Sequence, residues 1–223
     1  MKDATKTLLK AIKNFNTEGL SELLFDNKSE VACNQRLCAA INKEKSKYLA
    51  RVEYTNKDDL VSRADLVMIN RDNGKVVLCA EAKTLTAINV KYPTKGEKKK
   101  TNKNKPKEGY HPFFDNMKQN IVKQKFRGEK IAIMWVYGWS KFAEPKEKEK
   151  EKKEMYFKEK YYSLRSRLKN EDELKEDDVK KEIKRIFKKL GLILLKPEPE
   201  ILYAKDTHEG YKAYLIVTIG KVK

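Results

Sequence analysis

The stretch that most constrains the fold of this chain is residues 61–84, VSRADLVMINRDNGKVVLCAEAKT. Val61–Asn70 and Lys75–Lys83 are rich in Val, Leu, Ile and Met, and Asp72-Asn73-Gly74 between them is turn chemistry, with glycine free to take a positive φ. The stretch reads as a β-hairpin. A three-residue loop, with Asp72 and Asn73 in a type I turn and Gly74 left-handed, pairs Arg71 with Lys75 and therefore Asp65 with Glu81. A two-residue Asn73-Gly74 turn would instead pair Leu66 with Glu81 and send Asp65 to the other face. The three-residue loop is the expectation carried forward.

Directly opposed residues of an antiparallel pair have Cβ atoms about 5 Å apart, so two acids placed there repel, and a divalent cation would relieve the repulsion. Lys83 returns to the face of Glu81 because side chains alternate along a strand. One face of one hairpin would thus carry two oxygen ligands and an ammonium. Mg²⁺ takes one or two carboxylates, keeps several waters and leaves room for a phosphate, so Asp65 and Glu81 are the candidate metal ligands. Lys83 could orient a water or help deprotonate it. The structural alternative makes Asp65 and Glu81 solvated residues of an open sheet face, with Lys83 neutralising one of them.

Asp65 followed by Glu81-Ala82-Lys83 resembles the core of the PD-(D/E)XK nuclease superfamily, in which an acid ends one strand and acid, any residue, lysine follow on the next. Ala64 stands where that pattern commonly has proline. The resemblance covers residues 28–137, about half the chain, and carries several implications. The fold would be α/β, a three-layer α/β/α core with a mixed sheet of about four to five strands, flanked by N-terminal helices over 1–27 and a C-terminal α+β elaboration over 138–223. The activity would be Mg²⁺-dependent hydrolysis of double-stranded DNA, Mn²⁺ being able to substitute, most like a type II restriction endonuclease. Such an enzyme would be a homodimer if it cuts both strands of a symmetric site. A structure-selective repair nuclease or junction resolvase is the near alternative, and a non-catalytic nucleic-acid-binding protein the reading of another class. The resemblance also makes Glu30, on the helix before the sheet, a candidate catalytic residue, with Asn34 one turn later. A plain helix-dipole role explains Glu30 as well. Gln119, on the crossover helix, would be a supporting polar residue.

The chain has 223 residues and a net charge of +18, an imbalance that points to polyanionic partners, nucleic acid before membrane. No apolar run approaches the roughly 18 residues that span a bilayer, and the N-terminus lacks a signal-peptide core, so a cytoplasmic protein is expected. Cys33, Cys38 and Cys79 lack metal-site spacing and read as buried free thiols.

The rest of the chain is organised around the hairpin. Residues 4–25 read as helical with a break at Thr17–Gly19, and a second helix follows with Val31, Leu37, Cys38 and Ile41 as its apolar face. Tyr48–Thr55 alternates as a strand that pairs with the Asp65 strand. Lys91–Lys107 holds eight lysines against one glutamate. It reads as an arm whose Lys95, Lys98, Lys99, Lys100, Lys103, Lys105 and Lys107 contact phosphates. Tyr110–Phe126 is helical, with a lone His111 near its start, and Lys130–Tyr137 is a buried strand expected to join the sheet in parallel. Beyond a Lys/Glu tract and the Tyr161, Tyr162, Arg165, Arg167 group, Glu171–Leu190 is an amphipathic helix closed by Gly191. Leu192–Leu195, Ile201–Ala204 and Tyr211–Ile219 read as strands, the last two as a hairpin.

Overall fold

The computed structural model of the protein describes residues 2–25, 29–43, 46–87, 90, 112–141, 176–206 and 211–222. The lysine arm with Lys95 to Lys107, His111, and the tyrosine and arginine group at 161–167 lie outside the described residues. Helices α1 (Asp3–Lys13), α2 (Leu20–Phe25) and α3 (Ser29–Lys43) precede strands β1 (Tyr48–Asn56), β2 (Val61–Asn70) and β3 (Val76–Thr86). Helix α4 (Pro112–Lys123) leads to β4 (Glu129–Lys141), and α5 (Glu176–Lys189) to β5 (Leu192–Leu194), β6 (Glu200–Tyr203) and β7 (Tyr211–Val222).

The strands form one mixed α/β sheet of order β1-β2-β3-β4-β7-β5, with β6 also on β7. β1, β2 and β3 form an antiparallel meander, and β4 pairs with β3 in parallel after the crossover through α4. The sheet has seven strands, not the expected four to five. The excess is C-terminal. β7 is antiparallel to β4 from Ile131↔Lys221 to Lys141↔Tyr211, so what reads as an elaboration in sequence completes the sheet. Ala213–Gly220 are all buried, the pattern of a strand covered on both faces.

Side-chain alternation then builds two apolar layers. Leu66, Met68, Leu78, Ala80, Ile133 and Trp135 face α1, α2 and α3. Ala132, Met134, Val136 and Ile216 face Met117 and Ile121 of α4 and Val179, Ile183 and Phe187 of α5. Val31 departs from the expected buried face of α3: it is 38 % exposed, and Cys33 and Asn34 are buried instead. The three cysteines are buried free thiols, each pushed up to about 12 by burial.

The turn of the central hairpin differs from the expectation in a way that leaves the site intact. Asn70 N–H bonds to Lys75 O and Gly74 N–H to Asn70 O, so the loop has four residues, Arg71 to Gly74, with Gly74 at φ +68°. Ile69 pairs with Val76 but Met68 pairs with Leu78, which leaves Val77 as a β-bulge. The longer loop shifts the ladder by one residue and the bulge shifts it back. From Met68↔Leu78 through Leu66↔Ala80 the register is the one in which Asp65 stands opposite Glu81.

Candidate active site

The last paired residues of β2 and β3 are Leu66 and Ala80, and beyond them β3 continues beside β4. At that parting Asp65 Oδ2 accepts a hydrogen bond from Ala82 N–H at 2.7 Å, a side-chain oxygen serving a main-chain donor at the end of the ladder. Asp65 and Glu81 share the face of Val67 and Cys79, toward α4.

Lys83 gathers the cluster. Its Nζ lies 3.3 Å from Glu30 Oε1, 3.5 Å from Glu81 Oε1 and 3.8 Å from Asp65 Oδ2, and it donates to Ala82 O at 2.6 Å. Glu30 arrives from the first turn of α3, and its Oε2 accepts from Thr84 N–H at 3.0 Å. The four residues singled out in sequence, Asp65, Glu81, Lys83 and Glu30, therefore meet at one point. An open-face arrangement with solvated carboxylates does not describe Glu81, whose side chain is only 9 % exposed.

Two residues, one on α4 and one just past its end, were not legible in sequence. Asn120 Nδ2 donates to Glu81 Oε1 at 2.7 Å, and Gln124, just past the helix, accepts through Oε1 from Ser62 N at 3.0 Å and Ser62 Oγ at 3.2 Å while its Nε2 donates to Arg63 O. Their i, i+4 spacing beside the apolar Met117 and Ile121 was the available signal. Gln119, the expected helper, is exposed and does not line the cleft. Asn34 is structural: its buried Oδ1 accepts from Trp135 Nε1 at 3.0 Å.

Burial pushes the Glu81 carboxyl above its ordinary 4.5; the Asn120 amide and Lys83 oppose the shift and Asp65 adds to it. Burial likewise raises Glu30, against Lys83 and with Asp65. For Lys83 burial acts to lower the pKa, but Glu30, Asp65 and Glu81 outweigh it and hold the ammonium above 10.5. The cluster opens into a cleft of about 380 Å³ lined by Glu30, Asp65, Glu81, Lys83, Asn120 and Gln124, with Ser62, Arg63 and Lys123 around it.

The donor set suits a hard divalent ion better than a softer one, being carboxylate oxygens with no histidine or cysteine. Among the described residues no three His, Cys, Asp or Glu side chains are grouped as a metal cage. Three carboxylates and one ammonium leave two net negative charges, the charge that one divalent ion neutralises.

No protein-family model, curated protein or solved structure matches the chain. Among the described residues no helix is long and apolar enough to cross a membrane.

Proposed function

We propose that the chain is a Mg²⁺-dependent endonuclease acting on double-stranded DNA, with a restriction-endonuclease-like core built on β1, β2, β3, α4 and β4. The observation that carries the reading is the meeting of Glu30, Asp65 and Glu81 around Lys83 in an open cleft. Three acids brought within 4 Å of one lysine are costly to assemble for stability alone, because burial already raises two of them. The surplus of basic residues, +18 overall, supplies the attraction to a polyanion.

Asp65 and Glu81 would hold the cation, which when bound polarises the scissile phosphate and acidifies a water. Asn120 fixes the Glu81 rotamer through its 2.7 Å bond, so the ligand is oriented before the ion arrives. Lys83 stays charged at neutral pH and cannot take a proton from water; it donates to the phosphate oxygens as negative charge builds on them. Glu30 pairs with Lys83 at 3.3 Å and, with its carboxyl raised by burial, is the group suited to accept the proton of the attacking water.

The described part of the C-terminal region, α5 with β5, β6 and β7, serves the sheet and its cover. The proposal therefore rests on DNA hydrolysis, with cleavage of both strands at a symmetric site requiring two copies of the chain.

Plasmid DNA incubated with and without Mg²⁺ tests it. Cleavage is expected only with the metal, Mn²⁺ should replace it, and Asp65→Ala or Glu81→Ala should abolish it while metal-free DNA binding stays equal or tightens, since negative charge leaves a face that meets phosphates. Well-folded Asp65→Ala protein that cuts at the parental rate ends this reading. Intact DNA at every metal concentration, on plasmid, branched and single-stranded substrates, leaves a nucleic-acid-binding protein. Discrete fragments from phage-sized DNA would identify a sequence-specific enzyme.

A further inference from the structure

Gln124 does more than fill space. Its side chain belongs to a residue only 6 % exposed, yet it spends its amide on the main chain at the entrance of β2: Oε1 takes Ser62 N–H and Oγ–H, and Nε2 donates to Arg63 O. This ties residues 62 and 63 to the end of α4, where Lys123 is the chain neighbour of Gln124. Arg63 and Lys123 are thereby set on the wall of one cleft, the cleft that holds Glu30, Asp65, Glu81 and Lys83. Both are exposed, and among the described residues neither is recorded in an ion pair. Charge counting gives them a purpose. Three carboxylates against Lys83, Arg63 and Lys123 make the cleft neutral, and one divalent cation then makes it positive by two, enough for two backbone phosphates. Without Arg63 and Lys123 a bound divalent ion would only neutralise the cluster.

We propose that Arg63 and Lys123 form a two-point clamp for consecutive phosphates of the strand lying over Asp65 and Glu81, and that Gln124 is the positioning residue that presents Arg63. The inference rests on the nuclease reading for its placement of the strand, and it concerns binding, not hydrolysis. Arginine suits such a position because its planar donors grip phosphate oxygens bidentately, while lysine contributes a point charge.

The test is the salt dependence of binding to a 30-base-pair duplex in EDTA, so that no cleavage intervenes. Arg63→Ala and Lys123→Ala should each lower the slope of log K against log salt by about 0.9, the value for one phosphate contact. Lys75→Ala, just before β3 at the loop end of the hairpin, removes the same charge and should leave the slope as it is. Gln124→Ala should weaken binding non-additively with Arg63→Ala, so that the double variant loses no more than Arg63→Ala alone; a merely structural glutamine would lower the melting temperature and leave the slope unchanged. Equal slopes in parent, Arg63→Ala and Lys123→Ala overturn the clamp, as does an equal loss in Lys75→Ala, which would make the effect one of net charge. Absence of duplex binding by the parent overturns it too. The outcome is separable from that of the plasmid assay: cleavage without slope loss ends the clamp alone, and slope loss without cleavage ends the nuclease reading and leaves a phosphate-binding cleft.

Discussion

At the scale of single residues, Lys83 and Glu81 respond to pH in different ranges, and the difference is measurable. The folded protein binds the Lys83 proton more tightly than the unfolded chain, so that contribution is fully present below 10.5 and fades as pH rises through the folded value. Glu81 is also raised, but it is an acid, so the folded state keeps a proton that the unfolded chain has released. Stability is therefore lost as pH rises from 4.5 through the raised value. Glu81→Gln keeps the oxygen that accepts from Asn120 and removes the buried charge. In EDTA this variant should melt above the parent at pH 7, by about 2–4 °C if 1 kcal/mol is recovered. The gap should close as pH falls below 4.5, where the parent carboxyl is protonated in both states. Saturating Mg²⁺ should reverse the order, since only the parent gains the linkage stabilisation of a bound ion. Differential scanning fluorimetry at several pH values, with and without Mg²⁺, reads all three effects, and a gap that persists unchanged to low pH would show that Glu81 is not the titrating group.

At the scale of elements, the hairpin shows how a correct face assignment can survive an incorrect turn. Apolar content and Asp72-Asn73-Gly74 were enough to locate both strands, and the facing of Asp65 and Glu81 follows from the ladder as expected. The four-residue loop and the Val77 bulge cancel, and a bulge at a valine among valines carries no local signature. Glu30 was reached through the resemblance and not through periodicity, because a helix N-terminus meets the sheet only in three dimensions. Asn120 and Gln124 were missed for the same reason: polar residues beside an apolar stripe reveal nothing until the helix is docked. The loop itself offers a clean test. Gly74 sits at φ +68° and a Cβ there would meet nothing within 4 Å, so Gly74→Ala isolates the backbone preference. It should cost about 1 kcal/mol, or about 2–4 °C in melting temperature, through left-handed strain alone. DNA cleavage should be unchanged, because the turn lies at the far end of the hairpin from Asp65. A loss of activity beyond that of folding would mean that the turn and the site are coupled.

At the scale of the whole molecule, the question is whether residues 28–137, where the recognisable pattern lies, stand without the C-terminal strands. The packing argues that they do not. β4 is the strand shared between the two halves, with Ile131–Val136 buried throughout, and its second edge is paired along its length with β7. β7 feeds both apolar layers: Ala213, Leu215, Val217 and Ile219 join the core under α1–α3, and Tyr214 and Ile216 join the core under α4 and α5. The connection is also polar. Asp206 accepts from Leu20 N–H at 3.0 Å and Ser21 N–H at 3.2 Å, capping α2 from the bend that follows β6, and Ser21 Oγ in turn accepts from Ala213 N–H. Burying Leu215, Ile216, Val217 and Ile219 contributes about 1.5–3 kcal/mol each, roughly 6–12 kcal/mol together, which is comparable to the whole stability of about 5–15 kcal/mol expected of a domain. A fragment ending at Lys141 should therefore lack a cooperative unfolding transition and show solvent-exposed emission from Trp135, which is fully buried in the intact chain. Adding a separately made 176–223 segment should restore the buried emission and a sharp melt by supplying α5 and β7. A fragment 1–141 that melts cooperatively on its own would mean that the sheet is stable through β4, and that the C-terminal strands were added to a core already complete.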